Sequence, residues 1–152
     1  MRITAKADYA VRAAAELAAA EGDGPVKGER IATAQDIPLK FLENILSELR
    51  TAGIVASRRG AEGGYWLDRP AADVSVADVL RAVEGPLASI RGTGPERLEY
   101  QGAAAALPRM WVALRANLRT VLEGVSLADL ASGELPANVA ALTDDPDAWV
   151  KH

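Results

Sequence analysis

The chain has 152 residues, no cysteine and one histidine, His152, at its last position. This composition excludes disulfides, cysteine nucleophiles and thiolate metal sites, and it leaves almost no room for a Ser-His-Asp triad. The formal net charge is −4, with residues 1–70 neutral and the excess acid in residues 71–152. A nucleic-acid-binding function would therefore have to depend on where individual Arg and Lys residues lie, not on the overall charge.

The sequence predicts no membrane segment, because no run approaches about 20 consecutive apolar residues. The N-terminal residues MRITAKADYA also lack the apolar stretch of a secretory signal. We therefore expect a cytoplasmic protein.

The first predicted element is a helix within ITAKADYAVRAAAELAAAEG. Its small and apolar residues recur at helical spacing, at Ile3, Ala7, Ala10, Ala14 and Leu17. Thr4 is a candidate N-cap, and Gly22 marks the end of the segment.

Two further helices follow with a short link between them. The first ends near Gln35, and the second lies in PLKFLENILSELRTAG, where Pro38 suits the first turn. An apolar stripe on the second helix consists of Leu39, Leu42, Ile45, Leu46 and Leu49. A link of about three residues, 36–38, predicts a helix-turn-helix.

A glycine-rich turn, GAEGG, separates GIVASRR from GYWLDRP. The flanking residues favour strands, so the segment predicts a β-hairpin that ends at Pro70. A phosphate-binding loop is the weaker interpretation, because no Lys-Ser or Lys-Thr pair follows the glycines.

The remaining elements are helical. Ser75 and Asp78 have the spacing of a capping box at the start of SVADVLRAVEGP. Residues 87–106 are expected to be irregular, and Pro108 opens a long helix. SLADLASG predicts a short helix after it, and the tail from Pro136 is expected to fray.

The long helix carries apolar residues at alternating spacings of three and four, at Trp111, Leu114, Leu118, Val121 and Val125. This period is typical of a helix that pairs with another helix along a narrow seam. The alternative is an amphipathic helix that lies on the core of its own chain.

The predicted fold is mainly α with a small β-hairpin wing: a winged helix-turn-helix followed by a long C-terminal dimerisation helix. We expect a DNA-binding domain over 1–86, a connecting loop over 87–107, a dimerisation helix and a short helix over 108–135, and a flexible tail over 136–152.

The helix-turn-helix supplies candidate DNA contacts. On its second helix, the residues off the apolar stripe are Lys40, Phe41, Glu43, Asn44, Ser47 and Arg50, and those near the N-terminus would enter the major groove first. Glu43 can accept from a cytosine amino group, Lys40 can donate to guanine or phosphate, and Phe41 can contact a thymine methyl. Two alternatives stay open: Phe41 packs inward, and Glu43 is merely solvated.

The wing supplies Arg58, Arg59 and Gly60. A narrow minor groove attracts arginine through its negative potential, and glycine lets the backbone come close. The alternative is that both arginines are solvated on a mobile loop.

The segments DYAVRAAAELA, PLKFLENILSELRTAGIV, RRGAEGGYWL and VADVLRAVEGPL, in this order, closely resemble the Rrf2 family of bacterial transcriptional regulators. The resemblance covers roughly residues 1–130. It implies a homodimer that binds a pseudo-palindromic operator in double-stranded DNA. It places Lys40, Phe41 and Glu43 at the bases, Arg59 in the minor groove, and Arg2 and Lys6 near phosphates.

One feature departs from the family. Well-known members hold an iron–sulfur cluster on three cysteines before the long helix, whereas this chain has IRGTGPERLEYQGAAAALP there. Asp8 and Arg12 stand where some members place a further ligand on the first helix. We therefore expect no cofactor and no metal site. The signal that regulates the protein would then come from a small-molecule or protein effector. Trp66, Trp111 and the loop 86–107 are one potential pocket for a small molecule.

The functional hypothesis is a sequence-specific DNA-binding transcriptional regulator, a repressor, that acts as a homodimer without a cluster. The alternative is a winged-helix module that binds protein, which the overall acidity favours. An enzyme is not expected, because the chain shows no nucleophile–base pair, no metal-ligand spacing and no phosphate loop.

Overall fold

The computed structural model describes all residues, 1–152, and is mainly helical. The helices are α1 (Ala5–Ala19), α2 (Gly28–Gln35), α3 (Leu39–Thr51), α4 (Val76–Glu84), α5 (Leu107–Leu122), α6 (Leu127–Ser132) and α7 (Ala137–Ala140). The strands are β1 (Val55–Arg58) and β2 (Gly64–Leu67). Short 3-10 turns occur at 71–73, 95–97, 102–104, 141–143 and 146–149. None of the helices is long and apolar enough to cross a bilayer.

Helix α1 lies at the centre of the N-terminal core. Thr4 caps it by accepting a hydrogen bond from the Ala7 amide, as predicted. Its buried residues are Ala7, Ala10, Ala13, Ala14, Leu17 and Ala18. Ile3 was expected on this stripe but is 80% exposed, because it precedes the cap and is not part of the helix.

Helices α2 and α3 form the helix-turn-helix. Their link is residues 36–38, and Asp36 adopts a left-handed conformation with φ 51°. The buried face of α3 is Leu42, Ile45, Leu46 and Leu49. Leu39 was expected to belong to this stripe but is 37% exposed, since it is the first residue of the helix.

The hairpin pairs β1 and β2 antiparallel, from Val55 opposite Leu67 to Arg58 opposite Gly64. Val26, just before α2, adds two backbone hydrogen bonds to Tyr65, each 2.8 Å. Gly64 packs so closely here that a Cβ would lie 2.6 Å from the carbonyl oxygen of Val26. The wing is thus tied to the start of α2 as well as to α3.

Helix α4 begins at the predicted capping box of Ser75 and Asp78. A second capping box, Ser126 with Asp129, starts α6 and was not predicted. The two helix starts are joined by backbone hydrogen bonds from Val76 to Val125 and from Leu127 to Val74, both 2.9 Å. Leu127 is fully buried, so α6 completes the N-terminal core.

Helix α5 has no buried residue along its 16 positions. Trp111, Leu114, Leu118 and Val121 are half-buried. Val125 does not continue this seam, because α5 ends at Leu122 and Val125 is buried in its own chain.

The tail from Pro136, which was expected to fray, contains short helical elements. Residues 137–149 form α7 and two 3-10 turns, and Val139 is buried. The Trp149 indole donates to the Thr143 carbonyl at 2.8 Å, which closes the last turn although the ring is 75% exposed. Residues 87–106 are irregular apart from two short 3-10 turns, as predicted.

Candidate nucleic-acid interface

A concave groove lies between the start of α2, the exposed face of α3 and the wing. Its lining residues are Lys27, Gly28, Glu29, Glu43, Arg50, Ser57, Arg58, Arg59, Gly64 and Tyr65. The groove brings together three residues that the sequence singled out on separate elements, Glu43 on α3 and Arg58 and Arg59 on the wing. Four cations and two carboxylates line it, so its local charge is positive in a chain that is acidic overall.

The turn of the wing is held by hydrogen bonds to its carbonyl groups. Arg58 Nη2 donates to the Glu62 carbonyl at 3.0 Å, and Lys27 Nζ donates to the Gly60 carbonyl at 2.7 Å. Gly60 has φ +102°, a conformation that L side chains rarely adopt. These contacts argue against a loosely solvated loop, while Arg59 stays exposed at the turn.

The exposed face of α3 points its polar residues away from the core. Lys40, Glu43, Asn44 and Ser47 are all exposed. Arg50, one turn further on, donates to Ser57 Oγ at 3.0 Å and joins the helix to β1. No carboxylate–cation pair within the chain engages Glu43, Lys40 or Arg59.

Phe41 shares features of both interpretations. Its ring packs edge-on against Tyr9 at a centroid distance of 5.7 Å, and it remains 44% exposed. The contact with Tyr9 fixes the ring beside the start of α3, and the exposed part leaves an apolar surface next to Lys40 and Asn44.

The N-terminal candidates lie differently. Lys6 pairs with Glu48 of α3 at 2.8 Å and shares a shallow depression with Phe41 and Asn44. Arg2 is exposed ahead of α1 and makes no ion pair within the chain. Lys6 is thus placed at the edge of the α3 surface.

Asp8 and Arg12 form part of the support for the helix-turn-helix. They pair at 2.9 Å, and Arg12 Nη1 donates to the Gln35 carbonyl at the end of α2 at 2.6 Å. Gln35 in turn donates to Glu16. These bonds satisfy the end of α2 and hold it against α1 just before the turn.

Sequence reasoning missed Lys27. The bond from Lys27 to Gly60 spans 33 residues, and no local pattern signals it. Arg50 was visible as an off-stripe residue of α3, but its contact with β1 required the strand position. Trp66 lines a depression with Leu17, Pro25 and Tyr65, and Trp111 is not among the residues that line it.

The residues of the connecting loop do not fit an iron–sulfur cluster. Cysteine is absent from the chain, and no group of three or more His, Asp or Glu side chains is arranged to hold a metal ion. Glu96, a carboxylate of the loop, is bonded to Arg115 at 2.6 Å. Hydrogen bonds from its own backbone and from Arg115 lower the pKa of Glu96.

A helix-turn-helix with a hairpin wing beside its second helix defines the class of winged-helix proteins. Residues 3–133 match the model of the Rrf2 family, described as iron-dependent transcriptional regulators. The chain belongs to the Rrf2 family, and its fold and relatives are those of transcriptional regulators, not of enzymes.

Individual relatives agree with this assignment. Rv1287 of Mycobacterium tuberculosis, named as an HTH-type transcriptional regulator, is 53% identical over 145 residues, which covers 95% of this chain and 90% of Rv1287. The solved structure of CymR from Bacillus subtilis, described as the global cysteine regulator, has a TM-score of 0.74 at 34% identity and covers 88% of this chain and 98% of CymR. The structure of T. potens IscR has a TM-score of 0.69 at 30% identity, covering 100% of this chain and 93% of IscR.

Proposed function

We propose that this Rrf2 regulator is a homodimeric repressor that reads DNA through α3 and the wing and needs no iron–sulfur cluster. The observation that carries the proposal is the groove, where Lys27, Arg50, Arg58 and Arg59 surround Glu43. Positive charge concentrated on one face is the footprint of a nucleic-acid interface even when the chain as a whole is acidic.

Helix α3 is proposed to enter the major groove with its N-terminal half. Lys40, Glu43, Asn44 and Ser47 are exposed on one side and free to contact base edges. Glu43 accepts from a cytosine amino group, and Lys40 donates to guanine or to a phosphate. The exposed edge of Phe41 is available to a thymine methyl.

The wing is proposed to reach the adjacent minor groove. Arg59 supplies the charge that a narrow minor groove attracts, while Arg58 and Gly60 fix the turn that presents it. Arg2 and Lys6 lie near the start of α1 and are assigned to phosphates, which position the protein without reading sequence.

Helix α5 is proposed to pair with α5 of a second copy through Trp111, Leu114, Leu118 and Val121. A helix of 16 residues without one buried side chain leaves apolar surface that a partner helix would cover. A two-fold dimer places two copies of α3 on successive turns of the duplex, which is why we propose a pseudo-palindromic operator.

The signal is proposed to reach the protein without a cluster, through a small molecule or a partner protein, in the cytoplasm. The absence of cysteine supports this, and so does the loop 87–107, where Glu96 is already paired with Arg115. The family is described as iron-dependent, but this chain has no cysteine through which it could hold iron.

The test is DNA binding by purified protein, in air and without added metal. The probe is DNA from upstream of its own gene, compared with unrelated DNA of equal length at two salt concentrations. We expect preference for the upstream DNA and a steep loss of affinity with salt, because bound phosphates release counterions.

Variants then assign the residues. Glu43→Ala should relax preference at one base pair by about 1–3 kcal/mol, and Arg59→Ala should weaken binding to A·T-flanked sites. Arg97→Ala removes an exposed arginine outside the groove and should change neither. Binding that ignores both salt and sequence would sink the DNA proposal and leave the protein-binding module as the function.

A further inference from the structure

A second positively charged depression lies between the end of α4 and the middle of α5. Its volume is about 400 Å³, and its lining residues are Arg81, Gly85, Pro86, Leu87, Arg115 and Arg119. We call it the arginine pocket. It shares no lining residue with the groove between α2, α3 and the wing, and two apolar side chains, those of Pro86 and Leu87, line it beside the three arginines.

The three guanidinium groups are held from outside the pocket. Glu123 accepts from Arg81 and lies 3.7 Å from Arg119, while Glu96 accepts from Arg115 at 2.6 Å. Asp78 lies 3.9 Å from Arg81 and is already engaged in the cap of α4. None of these carboxylates lines the pocket, so arginines are the only charged groups that do.

Most of the donors in the pocket remain free. A guanidinium group carries five N–H donors, and hydrogen bonds within the chain engage one nitrogen of Arg81 and one of Arg115. The ion pairs therefore orient the guanidinium groups without exhausting them. Arginines from both α4 and α5 line this pocket, and the stability of neither helix alone requires that arrangement.

We propose that the arginine pocket binds a small multivalent oxyanion, a phosphate or sulfate group. A tetrahedral oxyanion offers oxygen atoms in several directions, so it can accept from arginines of both helices at once. Only Pro86 and Leu87 contribute apolar side chains to the lining, and two such side chains cannot enclose a ligand with a large apolar body. This site is a property of the folded chain and does not rest on the proposed DNA interface.

Such a ligand would connect the two halves of the molecule. Arg81 lies on α4, which packs against α1 and α3, and Arg115 and Arg119 lie on α5. An oxyanion bound by both helices would fix the direction in which α5 leaves the N-terminal core.

The experiment titrates the ¹⁵N-labelled protein with inorganic phosphate, with sulfate and with chloride at matched ionic strength. We expect saturable amide shifts for phosphate and sulfate that centre on residues 81–87 and 115–119, with chloride producing none. A parallel titration with glycerol phosphate distinguishes two sources of the oxyanion. If the site takes only a free anion, glycerol phosphate should not reproduce the amide shifts; if it takes a phosphoryl group carried on a metabolite, glycerol phosphate should reproduce them.

Two substitutions test the assignment. Arg119→Gln and Arg115→Lys should each weaken phosphate binding about tenfold or more, since a hydrogen bond to a charged group is lost. Arg119 is 52% exposed, so its replacement is not expected to disturb folding. Arg109→Gln, an exposed arginine of α5 outside the pocket, is the matched control and should bind normally.

Other results would overturn the proposal. Shifts equal to those with chloride mean that no oxyanion site exists. Equal loss in Arg119→Gln and Arg109→Gln means nonspecific attraction to α5. If Arg59→Ala abolishes the amide shifts caused by phosphate, the anion binds in the groove between α2, α3 and the wing and not in the arginine pocket.

Discussion

The N-terminal unit and helix α5 differ in how completely their apolar side chains are buried. The N-terminal unit, α1–α4 with the hairpin and α6, encloses a core of 20 buried residues. Helix α5 is one residue longer than α1, yet none of its side chains is fully buried, whereas α1 buries six. One unit is complete within a single chain, and the other presents apolar positions that its own chain covers only in part.

This difference predicts where each kind of substitution will act. Changes in the N-terminal core should alter the free energy of unfolding of a single chain. Changes on α5 should alter association between chains and leave the N-terminal unit folded.

The largest expected effect on folding comes from Leu46→Ala on α3. Leu46 is fully buried, so its truncation should lower the free energy of unfolding by about 2–5 kcal/mol. Urea denaturation followed by circular dichroism measures it. Val112→Ala removes a 38% exposed side chain from α5 and should cost far less; equal losses would remove the distinction between the two regions.

Leu118→Asp is the matching change on α5. Because a carboxylate in an apolar contact costs several kcal/mol, the proposed pairing of α5 with a second copy predicts that this variant dissociates to monomers. Sedimentation velocity over a range of protein concentrations reports it. Asn117→Asp adds the same charge at an exposed neighbouring position and should stay dimeric. If Leu118→Asp sediments like the parent protein, the seam is not the dimer contact.

The wing provides a smaller effect. Gly64→Ala places a Cβ 2.6 Å from the Val26 carbonyl oxygen at a φ of +149°, and we expect a loss of about 1–3 kcal/mol in unfolding free energy. Gly28→Ala is the control, because its Cβ would meet only ordinary contacts at 3.6 and 3.7 Å. Thermal denaturation of both variants measures the difference. If Gly64→Ala does not lower the stability, the wing can shift away from Val26.

The smallest expected effect is that of Lys27→Ala, which removes the bond to the Gly60 carbonyl. A single exposed hydrogen bond contributes about 0.5–1.5 kcal/mol, so DNA affinity should fall only a few-fold. If Lys27 positions the wing, amide exchange in residues 58–64 should quicken while the salt dependence of DNA binding stays the same. A smaller salt slope with unchanged exchange would instead identify Lys27 as a phosphate contact.

Local signals explain what the sequence predicted of the fold. Thr4, the capping box of Ser75 and Asp78, and the glycine turn between β1 and β2 all act within a few residues of themselves. The three-residue link after Gln35 likewise determines the helix-turn-helix. These features could be derived because their partners lie close in the chain.

Contacts between distant segments explain the errors. Val125 has the spacing of the α5 seam, but its carbonyl accepts from the Val76 amide and the residue is buried within its own chain. Periodicity cannot show where a helix stops when the next segment joins another element. For the same reason the pairing of Lys27 with the wing and the three arginines between α4 and α5 emerged only from the structure.

Five of the six buried residues of α1 are alanines, and α1 packs against α2, α3, α4, α6 and β2. Alanine has no rotamers, so folding costs these positions no side-chain entropy. It also means that the buried face of α1 consists almost entirely of side chains that cannot change rotamer to absorb a movement of a neighbouring helix. A displacement of α4 or α6 would therefore meet little side-chain rearrangement at α1, and α1 also packs against α3, the helix whose exposed face is proposed to read DNA.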